Sequence, residues 1–211
     1  MNKINNTDKI WKSLSLEAWK DLNMPSAEKE LIDLSIEQLT KELSELKQTR
    51  YDEQVTNYLL KGPDGKSSNL SDLFGSSNEL IVIHNMGKRC PYCTLWADGF
   101  NGMTQHFENR AGFVVVSPDD PDTQKVFAES RGWKFKMLSG EGSSFIKDMG
   151  FLRDDGMAMP GISIFKKDND GKIIRTTKDY FGPHDNYCGI WHIFDLLPGG
   201  INSWEPKFEY N

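Results

Sequence analysis

The chain contains 211 residues with a net charge of −6, and 37% of them are hydrophobic while 27% are charged. This composition is typical of a globular protein with a packed core, and it excludes a wholly disordered chain. The acidic balance, without any basic stripe, argues against a protein that binds nucleic acid.

The first 57 residues are predicted to form a helical extension. The segment "SAEKELIDLSIEQLTKELSELKQ" starts with Ser26 as a candidate N-cap, and its apolar residues recur at alternating steps of four and three. These residues are Ile32, Ile36, Leu39, Leu43 and Leu46. The spacing indicates a helix that packs on its own domain, with a dimer-forming arm as the alternative, so a homodimer is possible.

Residues 58–200 are predicted to form an α/β domain. A turn at "GPDGK" and a helical turn at "NLSDLF" precede two buried strands, "ELIVIHN" and "GFVVVSP", which flank the cysteine segment. The next helix, "DDPDTQKVFAESRGW", has Asp120 as its cap, Pro121 at its first position and Gly132 as its stop.

The second half of this domain continues with "KFKML" as a weaker strand and "SSFIKDMGF" as a short helix. A hairpin of "GISIFKK" and "KIIRTTKDYF" follows, then a last helix at "DNYCGIWHIFDLL". This order predicts a central mixed sheet, with parallel strands first and an antiparallel pair last, and helices on both faces. Residues 201–211 are predicted to form a C-terminal tail.

The segment "GKRCPYCTLWADGFNG" carries the candidate chemistry. Cys90 follows a buried strand and precedes a predicted helix, whose free N–H groups and dipole favour a thiolate. Pro91 suits the first helical position, and Lys88 and Arg89 add positive charge as possible modulators. Cys93 lies one turn deeper, where it can resolve a mixed disulfide formed by Cys90.

Three other residues of this region bear on the site. His84 ends the preceding strand and is a possible proton shuttle, although a histidine satisfied at a strand end is the preferred interpretation. Gly99 and Gly102 lie inside the predicted helix, at a cost of about 1 kcal/mol each relative to Ala. We infer a close backbone approach or a kink at these two glycines.

Four segments together resemble one known family: "CPYCTLWADGFNG", "GFVVVSPDDP", "RGWKF" and "PGISIFKKDNDGKI". They are similar to the thioredoxin-like family of predicted dithiol-disulfide oxidoreductases, a family of unknown function near the alkyl hydroperoxide reductase and thiol-specific antioxidant group. The similarity covers roughly residues 5–204. It implies a thioredoxin-like fold and a redox-active CXXC pair that needs no cofactor. It also implies a protein or low-molecular-weight thiol or disulfide as the partner.

The resemblance further implies substrate-binding residues. A cis-proline beside the cysteine pair is typical of thioredoxin-like proteins, and Pro160 occupies the matching position before the hairpin. Met159 would then dock the substrate through its backbone, and we assign Trp96 to the same surface. The tetrapeptide "CPYC" also matches glutaredoxins, although those proteins are about half as long and lack "WADGFNG".

Three alternatives to a disulfide oxidoreductase remain open. One is a thiol-dependent peroxidase, although "IHNMGKR" before Cys90 lacks the Pro and the Thr or Ser of peroxiredoxins. Another is a non-enzymatic zinc-binding or partner-binding module, in which His184, Cys188 and His192 would complete a metal site. The last is a pair of structural thiols.

The chain lacks the signals of an exported or membrane-spanning protein. No stretch approaches the ~20 apolar residues that span a bilayer, and the N-terminus lacks the apolar run of a secretory signal. The three cysteines, an odd number, do not form a disulfide framework, which favours a reducing compartment. We therefore expect a cytoplasmic protein that does not bind a membrane.

Overall fold

The structure, a computed structural model, describes residues 26–48 and 52–210, which fall into two units. The first holds helix α1 (Ser26–Gln48), and the second begins at residue 50. The predicted boundary between residues 57 and 58 lies inside the second unit, because strand β1 (Glu53–Gln54) already pairs with strand β8 (Ile173–Tyr180). The predicted tail also belongs to this unit, since Trp204 packs against its core.

Helix α1 covers the segment that the apolar spacing predicted. Its apolar side chains are largely exposed, with Leu39 at 64% and Leu46 at 70% of their accessible surface. Ile32, by contrast, is half-buried. Pairing of this helix in a dimer stays a prediction.

The second unit is built on one eight-stranded sheet with the order β1-β8-β7-β4-β5-β6-β2-β3. Strands β4, β5 and β6 are parallel to one another, and every other pairing is antiparallel. This arrangement confirms the predicted central mixed sheet. The remaining strands are β2 (Leu59–Lys61), β3 (Ser67–Asn69), β4 (Glu79–His84), β5 (Gly112–Ser117), β6 (Lys136–Ser139) and β7 (Gly161–Lys167).

Local sequence signals set both ends of helix α3 (Pro121–Arg131). Asp120 caps helix α3 by accepting a hydrogen bond from the Thr123 N–H at 2.9 Å, and Gly132 ends it in the left-handed region at φ +66°. No helix in the described ranges is long and apolar enough to cross a membrane. The helices of this unit are the 3₁₀ turn Leu70–Phe74, α2 (Pro91–Arg110), α3 (Pro121–Arg131), α4 (Phe145–Asp148) and α5 (Gly189–Asp195).

The sheet separates two apolar clusters because successive side chains of a strand point to opposite faces. Leu80 and Val82 of β4 pack with the 3₁₀ turn and α4, and we call this side the α4 face. Ile83, from the same strand, packs with α2 and α5 on the opposite side, the α2 face. Helices therefore cover both faces, as predicted. Both cysteines of the CXXC pair lie on the α2 face.

Candidate active site

Cys90 is the N-cap of helix α2, directly before Pro91 at the first helical position. Its backbone is extended, at φ −103° and ψ 106°, and its sulfur accepts a hydrogen bond from the Cys93 N–H at 3.1 Å. The Cys90 carbonyl accepts a further bond from the Thr94 hydroxyl, also at 3.1 Å. The sulfur thus takes the place that a Ser or Asp oxygen usually occupies at a helix start. The predicted position of Cys90 between strand and helix is confirmed.

Hydrogen bonds lower the pKa of the Cys90 thiol from its ordinary value of 9.0 to about 7. The largest contribution is the hydrogen bond from the Cys93 side chain, and the N–H groups of Cys93 and Tyr92 add to it, while partial burial opposes it. Lys88 and Arg89, predicted as modulators, have exposed side chains. The lowered pKa therefore follows first from the Cys93 side chain and then from the N–H groups at the helix start, rather than from neighbouring cationic side chains.

Cys93 has the opposite electrostatic character. Its side chain is only 2% exposed, and its pKa is raised by the hydrogen bond to Cys90, by burial and by the negative charge on Cys90. The Met86 N–H donates to the Cys93 sulfur at 3.4 Å and acts in the other direction. Of the two, the partly exposed Cys90 therefore ionises first as the pH rises, while the buried Cys93 keeps its proton.

Asn85 shapes the loop between β4 and the cysteines. Its backbone N–H donates to the Val116 carbonyl at 2.8 Å, which extends the pairing of β4 with β5 by one residue. Its side-chain oxygen accepts from the Gly87 N–H at 2.7 Å, and its side-chain N–H donates to the Cys93 carbonyl at 3.4 Å. The side chain is 6% exposed, so these bonds satisfy an otherwise buried amide.

Asp119 anchors the same loop from the end of β5. Its carboxylate accepts a hydrogen bond from the Lys88 N–H at 2.7 Å, and its own carbonyl accepts one from the Ser139 hydroxyl at 2.6 Å. Gly87 sits against this carboxylate at φ +97°, where an added Cβ would lie 2.7 Å from both carboxylate oxygens. Only glycine combines this backbone conformation with so close a neighbour.

The segment "WADGFNG" joins helix α2 to the loop after α3. The Asp98 carboxylate accepts hydrogen bonds from the Trp133 indole N–H at 2.8 Å and from the Arg131 guanidinium, whose Nε lies 3.3 Å away. One turn later, the Asn101 side chain accepts from the Lys134 N–H at 2.7 Å and donates to a neighbouring carbonyl at 3.1 Å. The segments "WADGFNG" and "RGWKF" are therefore two halves of one contact.

Gly99 and Gly102 do not mark a close backbone approach, so that part of the inference is wrong, while the alternative of a kink stays a prediction. Both are exposed, and a Cβ added at either position would meet no atom within 4 Å. The crowded side of α2 is the one with Trp96, Ala97 and Phe100, which faces the sheet. The two glycines lie on the solvent side, where the sequence spacing alone could not assign a contact.

His84 is not placed to move a proton at the cysteine pair. It lies on the α4 face, stacked on Phe151 at 3.7 Å between ring centres, while the cysteines lie on the α2 face. Its Nε2 is 3.0 Å from the Ser163 hydroxyl, and burial lowers its pKa from 6.5 to about 3. His84 is thus a neutral core residue at a strand end, as the preferred interpretation held, but only Nε2 has a hydrogen-bond partner and the buried Nδ1 has none.

Met159, Pro160 and Trp96 do not form the substrate-binding surface beside the cysteines that the resemblance implied. The described residues contain no cis peptide bond, so Pro160 follows a trans bond, which corrects the predicted cis-proline. The extended chain here continues regular pairing, with the Met159 N–H donating to Phe151 and the Pro160 carbonyl accepting from Phe181. Met159 packs against the cluster of the α4 face, away from the cysteines.

Trp96 is a core residue and offers no open surface for a substrate. It is 3% exposed, and its ring packs against Phe181 and Tyr92 at 5.3 and 6.2 Å between centres. Tyr92, which the sequence analysis did not single out, lies between the two cysteines and is half-buried. Its ring also lies 6.3 Å from that of Trp191, and Cys90 and Tyr92 pack against the same apolar cluster.

The residues that would complete a zinc site do not converge. Helix α5 begins only at Gly189, so His184 lies outside it, at φ +66°, and pairs instead with Asp195 at 3.5 Å. Cys188 is buried in the cluster of the α2 face, and His192 is exposed. Among the residues that the structure covers, no three His, Cys, Asp or Glu side chains are grouped to hold a metal.

Comparison with protein families and curated sequences gives two findings. A family model described as "Bacterial protein of unknown function (DUF899)" matches residues 12–209. Chloroplastic peroxiredoxin Q from Populus jackii is 30% identical over 128 residues, which are 60% of this chain and 59% of that protein. The Gentiana triflora peroxiredoxin Q is 27% identical over 127 residues, 60% of this chain and 58% of the relative. The chain thus spans about three fifths of the length of the curated relatives it matches.

Several solved structures with a similar fold are peroxiredoxins. Peroxidoxin BcpB from Mycobacterium tuberculosis aligns with a TM-score of 0.51 and 26% identity, over 64% of this chain and 88% of that protein. Reduced Prx3 from Vibrio vulnificus, solved in complex with hydrogen peroxide, aligns with a TM-score of 0.51 and 18% identity, over 63% and 88% of the two chains. The fold is therefore thioredoxin-like, of the kind found in peroxiredoxins, as the sequence resemblance implied.

Proposed function

Because this chain belongs to the DUF899 family of bacterial proteins of unknown function, we propose its activity from the chemistry of its own site: it is a thiol-disulfide oxidoreductase. Cys90 is the nucleophile and Cys93 the resolving cysteine. The substrate is a protein or a low-molecular-weight disulfide. The supporting observation is the unequal pair of sulfurs: the Cys93 N–H donates to the Cys90 sulfur at 3.1 Å, and the pKa of Cys90 is lowered while that of Cys93 is raised.

The reaction proceeds in two exchanges. The Cys90 thiolate attacks a substrate disulfide R–S–S–R′, so that a Cys90–S–S–R bond forms and R′–S⁻ leaves. The Cys93 sulfur, after losing its proton, then attacks the Cys90 sulfur and expels R–S⁻. Two electrons pass to the substrate, and the protein is left with a Cys90–Cys93 disulfide. An external dithiol restores the reduced pair by the reverse exchanges.

Exposure favours this order of events. The Cys90 side chain is partly accessible, while Cys93 is 2% exposed, so an incoming disulfide meets Cys90 first. Cys93 lies one helical turn further in and is already hydrogen-bonded to Cys90. The reverse assignment would require a buried thiol of raised pKa to act as the first nucleophile.

The test compares three cysteine variants with a small chromogenic disulfide and with a protein disulfide such as insulin. Cys90→Ser is expected to lose turnover with both substrates. Cys93→Ser should retain the first exchange and accumulate a mixed disulfide, which intact-protein mass spectrometry detects. Cys188→Ser is the matched control and should behave like the wild type. A Cys93→Ser protein that captures no substrate would contradict the proposal.

A second candidate function, a thiol-dependent peroxidase, is favoured by the similarity to peroxiredoxin Q. In that reaction the Cys90 thiolate attacks the O–O bond of a peroxide, which gives Cys90 sulfenic acid and an alcohol or water. Cys93 then forms the same disulfide and releases water. Both functions thus use one nucleophile and one resolving cysteine, and they differ in the oxidised substrate.

Peroxide consumption in the presence of a small dithiol separates the two candidates. A peroxidase would show saturable consumption that requires Cys90, and its Cys93→Ser variant would form a sulfenic acid that dimedone traps. A disulfide oxidoreductase would instead show faster turnover with disulfides than with hydrogen peroxide or an alkyl hydroperoxide. The ratio of the two kcat/KM values decides between them.

A further inference from the structure

The resolving step requires Cys93 to be ionised, whereas the raised pKa of Cys93 keeps it protonated in the reduced protein. In the reduced pair Cys90 is the sulfur with the lowered pKa, and the Cys93 N–H donates a hydrogen bond to it at 3.1 Å. Once Cys90 is bound in a mixed disulfide, Cys93 has to carry the charge in order to attack. Because its side chain is 2% exposed, water contributes little to stabilising that charge, and a protein donor is needed.

The Met86 N–H is such a donor. It lies 3.4 Å from the Cys93 sulfur, and its effect is to favour the charged form. A backbone N–H cannot rotate by itself, so its direction depends on the conformation of the peptide chain around it. That conformation is set by the residue immediately before it.

Asn85 fixes this segment at three points. Its N–H bonds the Val116 carbonyl at 2.8 Å, its side-chain oxygen holds the Gly87 N–H at 2.7 Å, and its side-chain nitrogen donates to the Cys93 carbonyl at 3.4 Å. Met86 lies between the first two of these anchors. The third anchor joins the loop to Cys93, whose sulfur accepts the hydrogen bond from the Met86 N–H.

We propose that Asn85 is a positioning residue for the resolving step, because it holds the Met86 N–H against the Cys93 sulfur while that sulfur carries negative charge. In this step a bond forms between the sulfurs of Cys93 and Cys90, and the Cys90–S–R bond breaks. The electron pair leaves on R–S⁻, and the proton that Cys93 released passes to this thiolate or, when the thiolate is a weak base, to the solvent. The proposal rests on the disulfide-exchange function given above.

Two-phase kinetics with 5,5′-dithiobis(2-nitrobenzoate) test this role, in a Cys188→Ser background that leaves only the CXXC pair. The first equivalent of coloured thiolate reports capture by Cys90, and the second reports resolution by Cys93. In Asn85→Ala we expect capture within about twofold of the parent. Resolution should slow by about tenfold or more, since a lost hydrogen bond to a charged group is of that size.

Two further variants show whether a slower second phase comes from the loss of the Asn85 side chain or from a general loss of structure. Gln124→Ala removes a side chain that is 1% exposed and bonded to Ser117 and Leu138 but lies on α3, so it should leave both phases unchanged. Asn85→Ser keeps a polar side chain that is too short to reach both the Gly87 N–H and the Cys93 carbonyl, and should slow the second phase selectively. Near-UV circular dichroism verifies that each variant is folded.

The outcomes separate the two proposals. A parent protein that releases no second equivalent would overturn the disulfide-exchange function itself. A parent with both phases, together with Asn85 variants whose second phase is unchanged, would overturn only the role of Asn85. Equal slowing of both phases would show that Asn85 supports the loop as a whole, and it too would overturn the proposal.

Discussion

The Cys93 backbone N–H donates to the Cys90 sulfur at 3.1 Å, so helix α2 is capped by its own candidate nucleophile. This one contact both caps the helix and lowers the pKa of the Cys90 thiol. The same helix start that leaves N–H groups unpaired also supplies them to a thiolate. The hydrogen bond to Cys90 and burial raise the pKa of Cys93, so the two sulfurs differ before any substrate arrives.

The pH dependence of Cys90 alkylation should reflect these hydrogen bonds. The rate of reaction with iodoacetamide, measured in the Cys188→Ser background, should rise with a midpoint of about pH 7 and fall away as the pH drops through that value. In Cys93→Ala the midpoint should move upward toward 9.0, because the largest contribution to the lowered pKa is lost. A wild-type midpoint near 9.0, or no shift in the variant, would contradict this assignment.

The two glycines on the solvent side of α2 should be replaceable with a gain in stability. Gly99→Ala and Gly102→Ala add a Cβ where no atom lies within 4 Å. Each is expected to raise the free energy of unfolding by up to about 1 kcal/mol, because alanine loses less backbone entropy in a helix. Urea denaturation followed by tryptophan fluorescence gives the values, and a loss of stability would show that these positions do have close neighbours.

Gly87→Ala should have the opposite effect, although it is the same substitution. The new Cβ would lie 2.7 Å from the Asp119 carboxylate oxygens in a backbone with φ +97°. The loop must then release the Lys88 N–H from Asp119, so we expect a loss of more than about 1 kcal/mol and slower alkylation of Cys90. Gly65→Ala is the control, since Gly65 has φ +72° but open space around it. Equal losses in the two variants would rule out a specific clash at Asp119.

The Asp98 contact should matter more than an ordinary surface ion pair. Asp98→Ala removes the acceptor of both Arg131 and the Trp133 indole, and we expect a loss of about 1–3 kcal/mol in the free energy of unfolding. Partial exposure, 26% for the Arg131 side chain and 37% for Asp98, keeps this below the cost of a fully buried pair. Glu141→Ala breaks an exposed pair with Lys61 and should cost less than about 1 kcal/mol. Similar losses in the two variants would count against a special role for this contact.

His84 should make the protein less stable in acid. Its pKa in the folded state is about 3, below the ordinary 6.5, so the unfolded chain binds a proton first. The free energy of unfolding should therefore fall as the pH drops from 6.5 toward 3. His84→Phe, which retains an aromatic ring against Phe151, should flatten the curve in this window. Parallel curves for wild type and variant would indicate that His84 is accessible to protons.

Much of the local structure could be predicted because the responsible signals lie within a few residues of one another. Asp120, Pro121 and Gly132 set the ends of α3, and Cys90 with Pro91 sets the start of α2. Each of these acts through its own backbone geometry or through a hydrogen bond to a residue at most five positions away. The hydrogen bond from the Cys93 N–H to the Cys90 sulfur follows from the same local rule.

Predictions that depended on neighbours distant in the chain fared less well. His84 and Ile83 are adjacent in sequence, yet they face opposite sides of the sheet, so proximity to Cys90 along the chain did not give contact. The glycines of α2 could not be assigned to a side because the helical spacing shows which residues share a face, not what that face meets. Asp119 was not singled out, although its position after a strand parallel to β4 was a usable signal.

The sequence by itself determined that Cys90 would lie at the start of a helix, because helix capping and the resulting N–H donors arise within one turn of chain. Only the tertiary structure decided what holds that turn in place. The bonds of Asn85 to Val116, and of Asp119 to Lys88, form because β4 and β5 are parallel neighbours whose carboxyl ends meet at one edge of the sheet. Such contacts depend on strand order, which no local pattern of residues contains.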